Sequence, residues 1–242
     1  DNTAIGSKAM INTEPISTGT GIKNTAVASE AMYFNTTGNE NTAVGVSALR
    51  ENTTGSGNTV VGRSANRIAK TGNYNSYYGF ETAHSDSSGS FNTAMGYRAA
   101  YSNDTASYSI AIGPEALFLN TVDSNVAIGF RAGYYANSNP AYISKEQTFL
   151  GTYAGFGSFA NSKNTAVGFK ALAQLTPAGG GVDVTNGGRN TAIGDSVLAF
   201  GAGISNVGVG AQVMSRSGTG TIRNVAIGDS AMGNSLAPVE NV

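Results

Sequence analysis

The chain has 242 residues, with 33 glycines, no cysteine, 12% charged residues and a formal net charge of −1. The absence of cysteine excludes disulfides and any metal site built on thiolates. Because the sequence has no basic runs, its charge pattern offers no footprint for nucleic acid or an anionic membrane surface. No apolar run approaches the roughly 18 residues that a membrane-spanning helix needs, so membrane insertion is not predicted either.

A short phrase returns along nearly the whole chain. It consists of Asn-Thr-Ala, then Ile or Val, then Gly, with Ala three residues further on, and near-copies of it occur thirteen times. The commonest spacing is 17 residues, and five such gaps are consecutive. Ser109 and Gln147 take the first, or anchor, position in two copies, and asparagine takes it in the others: Asn2, Asn24, Asn41, Asn58, Asn75, Asn92, Asn125, Asn164, Asn190, Asn206 and Asn224. A fixed period of this kind predicts one supersecondary unit repeated as a stack of turns.

Each copy of the phrase predicts a β-strand of four or five residues followed by a bend. Thr, Val and Ile favour an extended backbone, and the Gly four residues after the anchor, replaced only by Ala28, supplies the bend. The segments between copies, such as residues 35–38 and 52–57, are rich in Asn, Thr, Ser and Gly and predict turns. Since no 3.6-residue apolar stripe persists across a repeat, helix is not expected. The predicted fold class is all-β.

Both faces of the predicted strand are weakly polar. Thr42 and Val44 share one face, and the small Ala43 lies on the other. A strand with one solvated face would show charged residues at alternate positions, and the phrase has none. We therefore expect one face to pack inside the turn and the other against a second copy of the chain. The Ala column is expected to form this interface and the Thr column to be buried, with Tyr77 and Tyr78 in the core.

Two insertions break the period and are the predicted ligand sites, because near-identical turns cannot discriminate between ligands. Aromatic rings beside amides and carboxylates suit a sugar. The candidate residues are Tyr134, Tyr135, Asn137, Asn139, Tyr142, Asp183 and Asn186. Two alternatives stay open: the tyrosines pack the first insertion onto its own turns, and the glycine-rich second insertion, around Asp183, is only a flexible loop.

A second aromatic group runs through otherwise regular repeats. Stacked turns are expected to align some of these rings as a ladder on the surface. The group consists of Tyr74, Tyr77, Tyr78, Phe80, Phe91, Tyr97, Tyr101 and Tyr108.

The phrase resembles the head repeat of trimeric autotransporter adhesins. The residues that carry the resemblance include 41–45 with Ala48, 109–113 with Ala116, and 164–168 with Ala171. The resemblance covers nearly the whole chain and implies a left-handed parallel β-roll of about 13 turns, a homotrimer, and binding to a host-surface ligand. Two features depart from the family: its usual repeat is shorter, and the sequence does not include the neck and coiled-coil stalk that normally follow the head.

Longer repeats with Asn-Thr-Thr-Gly connectors also resemble those of bacteriophage tail-fibre proteins. In those proteins the repeats often precede a self-cleaving intramolecular chaperone. The chain begins inside a repeat, so we expect it to be a fragment or a processed product. The resemblance implies one repeat domain over residues 1–235 and a tail over residues 236–242 that fits a processed end.

We expect the chain to be the distal, receptor-binding part of a tail fibre. Its location would then be extracellular, on a virion or a bacterial surface. Its expected partners are a host cell-surface receptor, taken as a glycan, and other fibre or stalk segments. The alternatives are the head of a bacterial trimeric autotransporter adhesin and a purely structural fibre spacer.

No set of catalytic residues assembles in the sequence. The single histidine, His84, lies beside a serine and an aspartate in a turn, where a solvated side chain is expected. Tail fibres can carry polysaccharide-cleaving carboxylates between subunits, but the candidates Glu115, Asp123 and Asp183 cannot be ranked. No phosphate-binding, dinucleotide or calcium motif occurs. We therefore expect no enzymatic activity, metal or cofactor.

Overall fold

A computed structural model describes residues 1–12, 21–135, 145–157, 163–173, 188–199, 204–215 and 222–233. In these residues each copy of the phrase forms a strand of three residues, shorter than the expected four or five. The same residues contain no helix, and hence none that could cross a bilayer. The predicted all-β class is confirmed. The chain divides into two compact units, residues 1–123 and 124–242.

Both units are parallel β-solenoids with one strand in each turn. In the first unit the strands are β1 (Thr3–Ile5), β2 (Thr25–Val27), β3 (Thr42–Val44), β4 (Thr59–Val61), β5 (Ser76–Tyr78), β6 (Thr93–Met95) and β7 (Ile110–Ile112). In the second they are β8 (Val126–Ile128), β9 (Thr148–Leu150), β10 (Thr165–Val167), β11 (Thr191–Ile193), β12 (Val207–Val209) and β13 (Val225–Ile227). Within each unit every strand pairs in parallel with the next along the chain. The register aligns equivalent positions, so that Thr42 lies opposite Thr59.

The middle residue of each strand from β2 to β13 points into the solenoid. Ala26, Ala43 and Ala94 are fully buried within the single chain, whereas the residues on either side of them are half-buried or exposed. The expectation that the Ala column forms an intermolecular interface while the Thr column is buried inside the turn is therefore wrong. The inward position accepts a small side chain because Ala48 and Leu49, from the same turn as Ala43, fill the remaining interior.

Turns that depart from Ala at the inward position compensate elsewhere in the interior. Phe149 takes this position in β9, and Gly155 replaces the leucine found at Leu49, because a Cβ on Gly155 would overlap the phenyl ring. In β12 the inward residue is Gly208, and a Cβ there would lie 2.6 Å from Cγ1 of Val197. Interior volume per turn is thus conserved even where the residue types change.

The two tyrosines of β5 point to opposite faces. Tyr77 is fully buried, as expected, but Tyr78 is 38% exposed, so its expected place in the core is wrong. Adjacent residues of a strand cannot both face the interior, since side chains alternate along it.

The anchor asparagines form a buried ladder that links successive turns. The backbone N–H of Asn58 donates to Oδ1 of Asn41 at 2.9 Å, and Nδ2 of Asn58 donates to the carbonyl of Gly72 at 2.8 Å. The second unit repeats the first of these bonds, with the N–H of Asn206 donating to Oδ1 of Asn190 at 3.0 Å. From Asn24 to Asn92 each anchor therefore satisfies buried backbone groups at the start of the next strand and in the connector that closes the turn.

Candidate interaction and ligand surfaces

One surface of each unit is formed by the outward residues of its strands. Counted from the anchor, these lie one and three positions after it, flanked by the residue before the anchor and the residue five positions after it. We call these four columns the outward face; for β3 they contain Glu40, Thr42, Val44 and Val46. The two central columns have no charged residue in any of the thirteen copies.

Exposed large apolar side chains concentrate on the outward face. Among the described residues of the first unit, ten of the twelve such side chains lie on it, and only Ile11 and Phe34 lie elsewhere. All five in the described part of the second unit lie on it: Ile128, Phe130, Phe169, Ile193 and Ile227. A concentration of exposed apolar side chains is typical of interaction surfaces, so the outward face is a candidate interaction surface. The sequence did not predict it, because the inward Ala column was expected to form the interface.

Three consecutive turns of the first unit carry larger side chains on the outward face than their neighbours. We call these side chains the bulky zone: Tyr74, Tyr78, Phe80, Phe91, Met95, Tyr97 and Tyr108. Phe91 stacks between Tyr74 and Tyr108, with ring centroids 5.3 Å away on each side. Phe80 stacks on Tyr97 at 5.8 Å. The expected surface ladder of aromatic rings is therefore present.

A further aromatic stack lies outside the outward face. The rings of His84, Tyr101 and Phe118 follow one another at centroid distances of 5.2 and 5.1 Å. The expected solvated His84 is wrong, because this half-buried ring packs on Tyr101. Burial lowers the pKa of His84, since it disfavours the charged imidazolium.

Two of the predicted ligand residues lie in an aromatic cluster of the second unit. The ring of Tyr134 stacks on Phe156 at 5.3 Å, and Tyr135 meets Phe156 edge-on at 5.3 Å. The guanidinium of Arg131 lies 5.3 Å from the centroid of Tyr134. Both tyrosines are half-buried and pack against the following turn, as one of the open alternatives proposed. The sequence analysis did not include Arg131 or Phe156, although Phe156 lies 22 residues after Tyr134, the local repeat spacing.

The other predicted ligand residues cannot be placed. Asn137, Asn139, Tyr142, Asp183 and Asn186 lie outside the described residues.

The described residues contain no cluster of three or more His, Asp or Glu side chains suited to a metal ion. Of the carboxylates considered for catalysis, Asp123 accepts a hydrogen bond from the N–H of Ser107 at 2.9 Å through Oδ1 and so helps to hold the connector. Burial raises the pKa of another carboxyl group, Asp86, to about 6, and this side chain lies in the solenoid interior. No protein-family model, curated protein or solved structure matches this chain.

Proposed function

We propose that this chain is a segment of an extracellular fibre that assembles as a homotrimer through the outward face, in the manner of a bacteriophage tail fibre. The observation that supports this proposal is the concentration of exposed large apolar side chains on that face. Leaving such a surface in water is unfavourable by about 25 cal/mol for each Å² that could be buried. The resemblance of the phrase to trimeric fibre repeats supplies the number three and the left-handed path of the chain.

A second copy of the chain is the partner that fits the outward face best. The two central columns repeat once per turn, at about 4.8 Å, and run through the described strands of each unit. A partner must offer uncharged apolar groups at the same spacing to bury them all, and another copy does so by construction. A symmetric homo-oligomer also closes without leaving a free face.

Mass in solution tests the assembly. The chain has a mass of 24.6 kDa, so light scattering is expected to give about three times that value. Val44→Lys and Val61→Lys place charges in the central columns, where burial of an unpaired charge is unfavourable, and are expected to yield folded monomers. Ile11→Lys, an exposed apolar residue outside the outward face, is the matched control and should remain trimeric. A folded wild-type monomer would refute the proposal.

We further propose that the fibre binds a cell-surface glycan through the cluster of Tyr134, Tyr135 and Phe156. The aromatic rings offer faces for a sugar, and Arg131 adds a hydrogen-bond donor beside them. A glycan array probed with the wild-type trimer is expected to show binding that Tyr134→Ala and Tyr135→Ala abolish. Phe34→Ala, an aromatic truncation outside the cluster, should bind as the wild type does. Absence of binding, together with unchanged cell attachment of the tyrosine variants, would leave a structural spacer as the function.

A further inference from the structure

The two central columns of the outward face are uniform over β2, β3 and β4. They carry the same Thr and Val pair in all three strands, as in Thr42 and Val44. Two copies packed through such a face could slide by one turn and recover the same kind of contact. Uniform apolar columns thus define which surfaces meet. They only weakly specify the axial register, that is, which turn of one copy lies beside which turn of the other.

Ion pairs in the flanking columns do not remedy this uniformity. Lys23 and Glu40 occupy the column before the anchor, and Nζ of Lys23 lies 3.1 Å from Oε1 of Glu40 within the same chain. Both side chains are largely exposed. Exposed pairs of this kind contribute little free energy, so they cannot hold one register against another.

The bulky zone is the part of this face that differs from turn to turn. In one central column Tyr78 and Met95 replace valine, and in the flanking columns aromatic rings replace the Lys, Glu, Gly, Ser, Val and Arg found in the turns of β2 to β4. Phe91 and Tyr108 are 49% and 62% exposed within the chain. Tyr78 and Met95 are 38% and 47% exposed, and each is larger than the valine that it replaces.

The rings before the anchors are held in fixed positions. The backbone N–H groups of Tyr74, Phe91 and Tyr108 donate to carbonyls of the preceding turn at 3.0, 3.0 and 3.1 Å. The stacked rings restrain one another. Such a surface is organised before it meets a partner, which lowers the entropy lost on association.

Local conformation does not account for aromatic residues at these positions. Tyr74, Phe91 and Tyr108 have φ of 56°, 59° and 59°, a region that bulky side chains disfavour. In the same column Lys23, Glu40 and Gly57 adopt the same backbone conformation. The fold itself therefore does not require an aromatic ring at this position. Burial within the chain does not account for the rings either, because they are exposed. Stacking within the chain gives these rings contacts with one another, and contact with another molecule is a second physical reason for them.

We propose that the bulky zone sets the axial register between copies of this chain; this inference rests on the proposed homotrimer. When the copies are in register, identical side chains of the bulky zone meet around the symmetry axis. After a slip of one turn, the ring of Tyr78 would face the Thr and Val columns of a neighbour, while a gap would open at the other end of the zone. Overlap and voids at a packed interface are each unfavourable, so only one register closes the contact.

Engineered cysteines can report the register, because the native chain contains none. Val44→Cys and Val61→Cys chains, carrying tags of different mass, are refolded together and oxidised. A disulfide needs Cα atoms within about 7 Å. If the copies are in register, disulfides between identical positions are therefore expected to dominate. A slip of one turn would instead produce disulfides that join position 44 of one copy to position 61 of another.

The decisive variant replaces four of the seven side chains of the bulky zone by the residues found at the same columns of β2 and β3: Tyr74→Lys, Tyr78→Val, Phe91→Glu and Met95→Val. Because these residues occupy equivalent positions in folded turns, the solenoid is expected to form, which circular dichroism checks. The fraction of mixed disulfides should rise at least fivefold. The matched control Tyr101→Ala/Phe118→Ala truncates the stack outside the outward face and should keep the wild-type pattern.

The possible results separate the two proposals. A trimer whose disulfide pattern is unchanged when the bulky zone is replaced would overturn the register proposal and leave the homotrimer intact. Absence of disulfides in a trimer would place this column away from the contact and overturn the register proposal as well. A wild-type chain that is monomeric by light scattering would refute both.

Discussion

The phenol hydroxyl of Tyr77 donates a hydrogen bond to Oδ2 of Asp86 inside the first unit, where both side chains are buried. Asp86 lies in a column that otherwise contains Asn35, Asn52, Asn103 and Asn120, with Ala69 at the position before Asp86. Burial raises the pKa of Asp86 to about 6, against the lowering effect of the Tyr77 hydrogen bond, and burial also raises the pKa of Tyr77 well above its usual value. A carboxyl group therefore occupies a position where a neutral amide serves elsewhere.

This pair predicts an unusual dependence of stability on pH. The folded state binds the Asp86 proton more tightly than the unfolded state, whose pKa is near 3.8. The stabilising contribution is complete below about pH 4 and is lost as the pH rises to about 6, a change of about 3 kcal/mol for two pKa units. Denaturant unfolding at pH 3.5 and pH 7.5 measures it.

Asp86→Asn is the matched control, because it restores the amide found at the neighbouring positions of the column. It is expected to remove this pH dependence and to be more stable than the wild type at pH 7.5. Equal pH profiles for the two proteins would show that Asp86 does not titrate in this range.

The ladder of anchor asparagines predicts that removing a single side-chain amide lowers the stability of the fold considerably. In Asn58→Ala the N–H of Asn75 loses its acceptor, which it meets at 3.0 Å, and the carbonyl of Gly72 loses its donor. Unsatisfied buried groups cost about 1 to 3 kcal/mol each, so a total loss of about 2 to 4 kcal/mol is expected in chemical denaturation. Asn12→Ala, at an exposed position, should change the stability by less than about 0.5 kcal/mol.

At the bend after the strand, substitutions at the equivalent positions Gly45 and Ala28 are expected to have very different effects on stability. Gly45 has a φ of 138°, and a Cβ there would lie 2.5 Å from the carbonyl oxygen of Gly62. Gly45→Ala is therefore expected to destabilise the fold by about 3 to 5 kcal/mol. Ala28 already occupies this position with a φ of 106°, so Ala28→Gly should remain within about 1 kcal/mol of the wild type. Thermal unfolding of both variants checks the contrast, and similar losses would contradict it.

The interior of the second unit predicts that Phe149 and Gly155 are energetically coupled. Gly155→Leu alone should destabilise strongly, because any Cβ at this position overlaps the ring of Phe149. Phe149→Ala alone leaves a cavity and costs about 3 to 5 kcal/mol. The double variant recreates the Ala and Leu combination of Ala43 and Leu49, and a double-mutant cycle should give a coupling of about 2 to 3 kcal/mol. Additive effects would show that the two positions do not share one volume.

Prediction from sequence succeeded where a single repeat carries its own physical signal. β-branched residues before a recurring glycine located the strands, as at Thr42 and Gly45, and the parallel pairing that the resemblance implied aligns equivalent positions of the phrase. The candidate site was harder to predict. Tyr134 was found because it interrupts the period, but its contact with Phe156 of the next turn joins residues far apart in the sequence. Asn137, Asn139, Tyr142, Asp183 and Asn186 remain predictions.

The sequence by itself determined the period, the strand position and the anchor column, because each depends only on residues within one turn. The tertiary structure decided which side of the strand faces inward. Alternation along the strand separates Ala43 from Thr42 and Val44 but does not say which side is enclosed. That choice depends on volume: once Ala48 and Leu49 occupy the turn, only the side with the small Ala43 fits inside. The larger apolar side chains are consequently displaced to the surface and form the outward face.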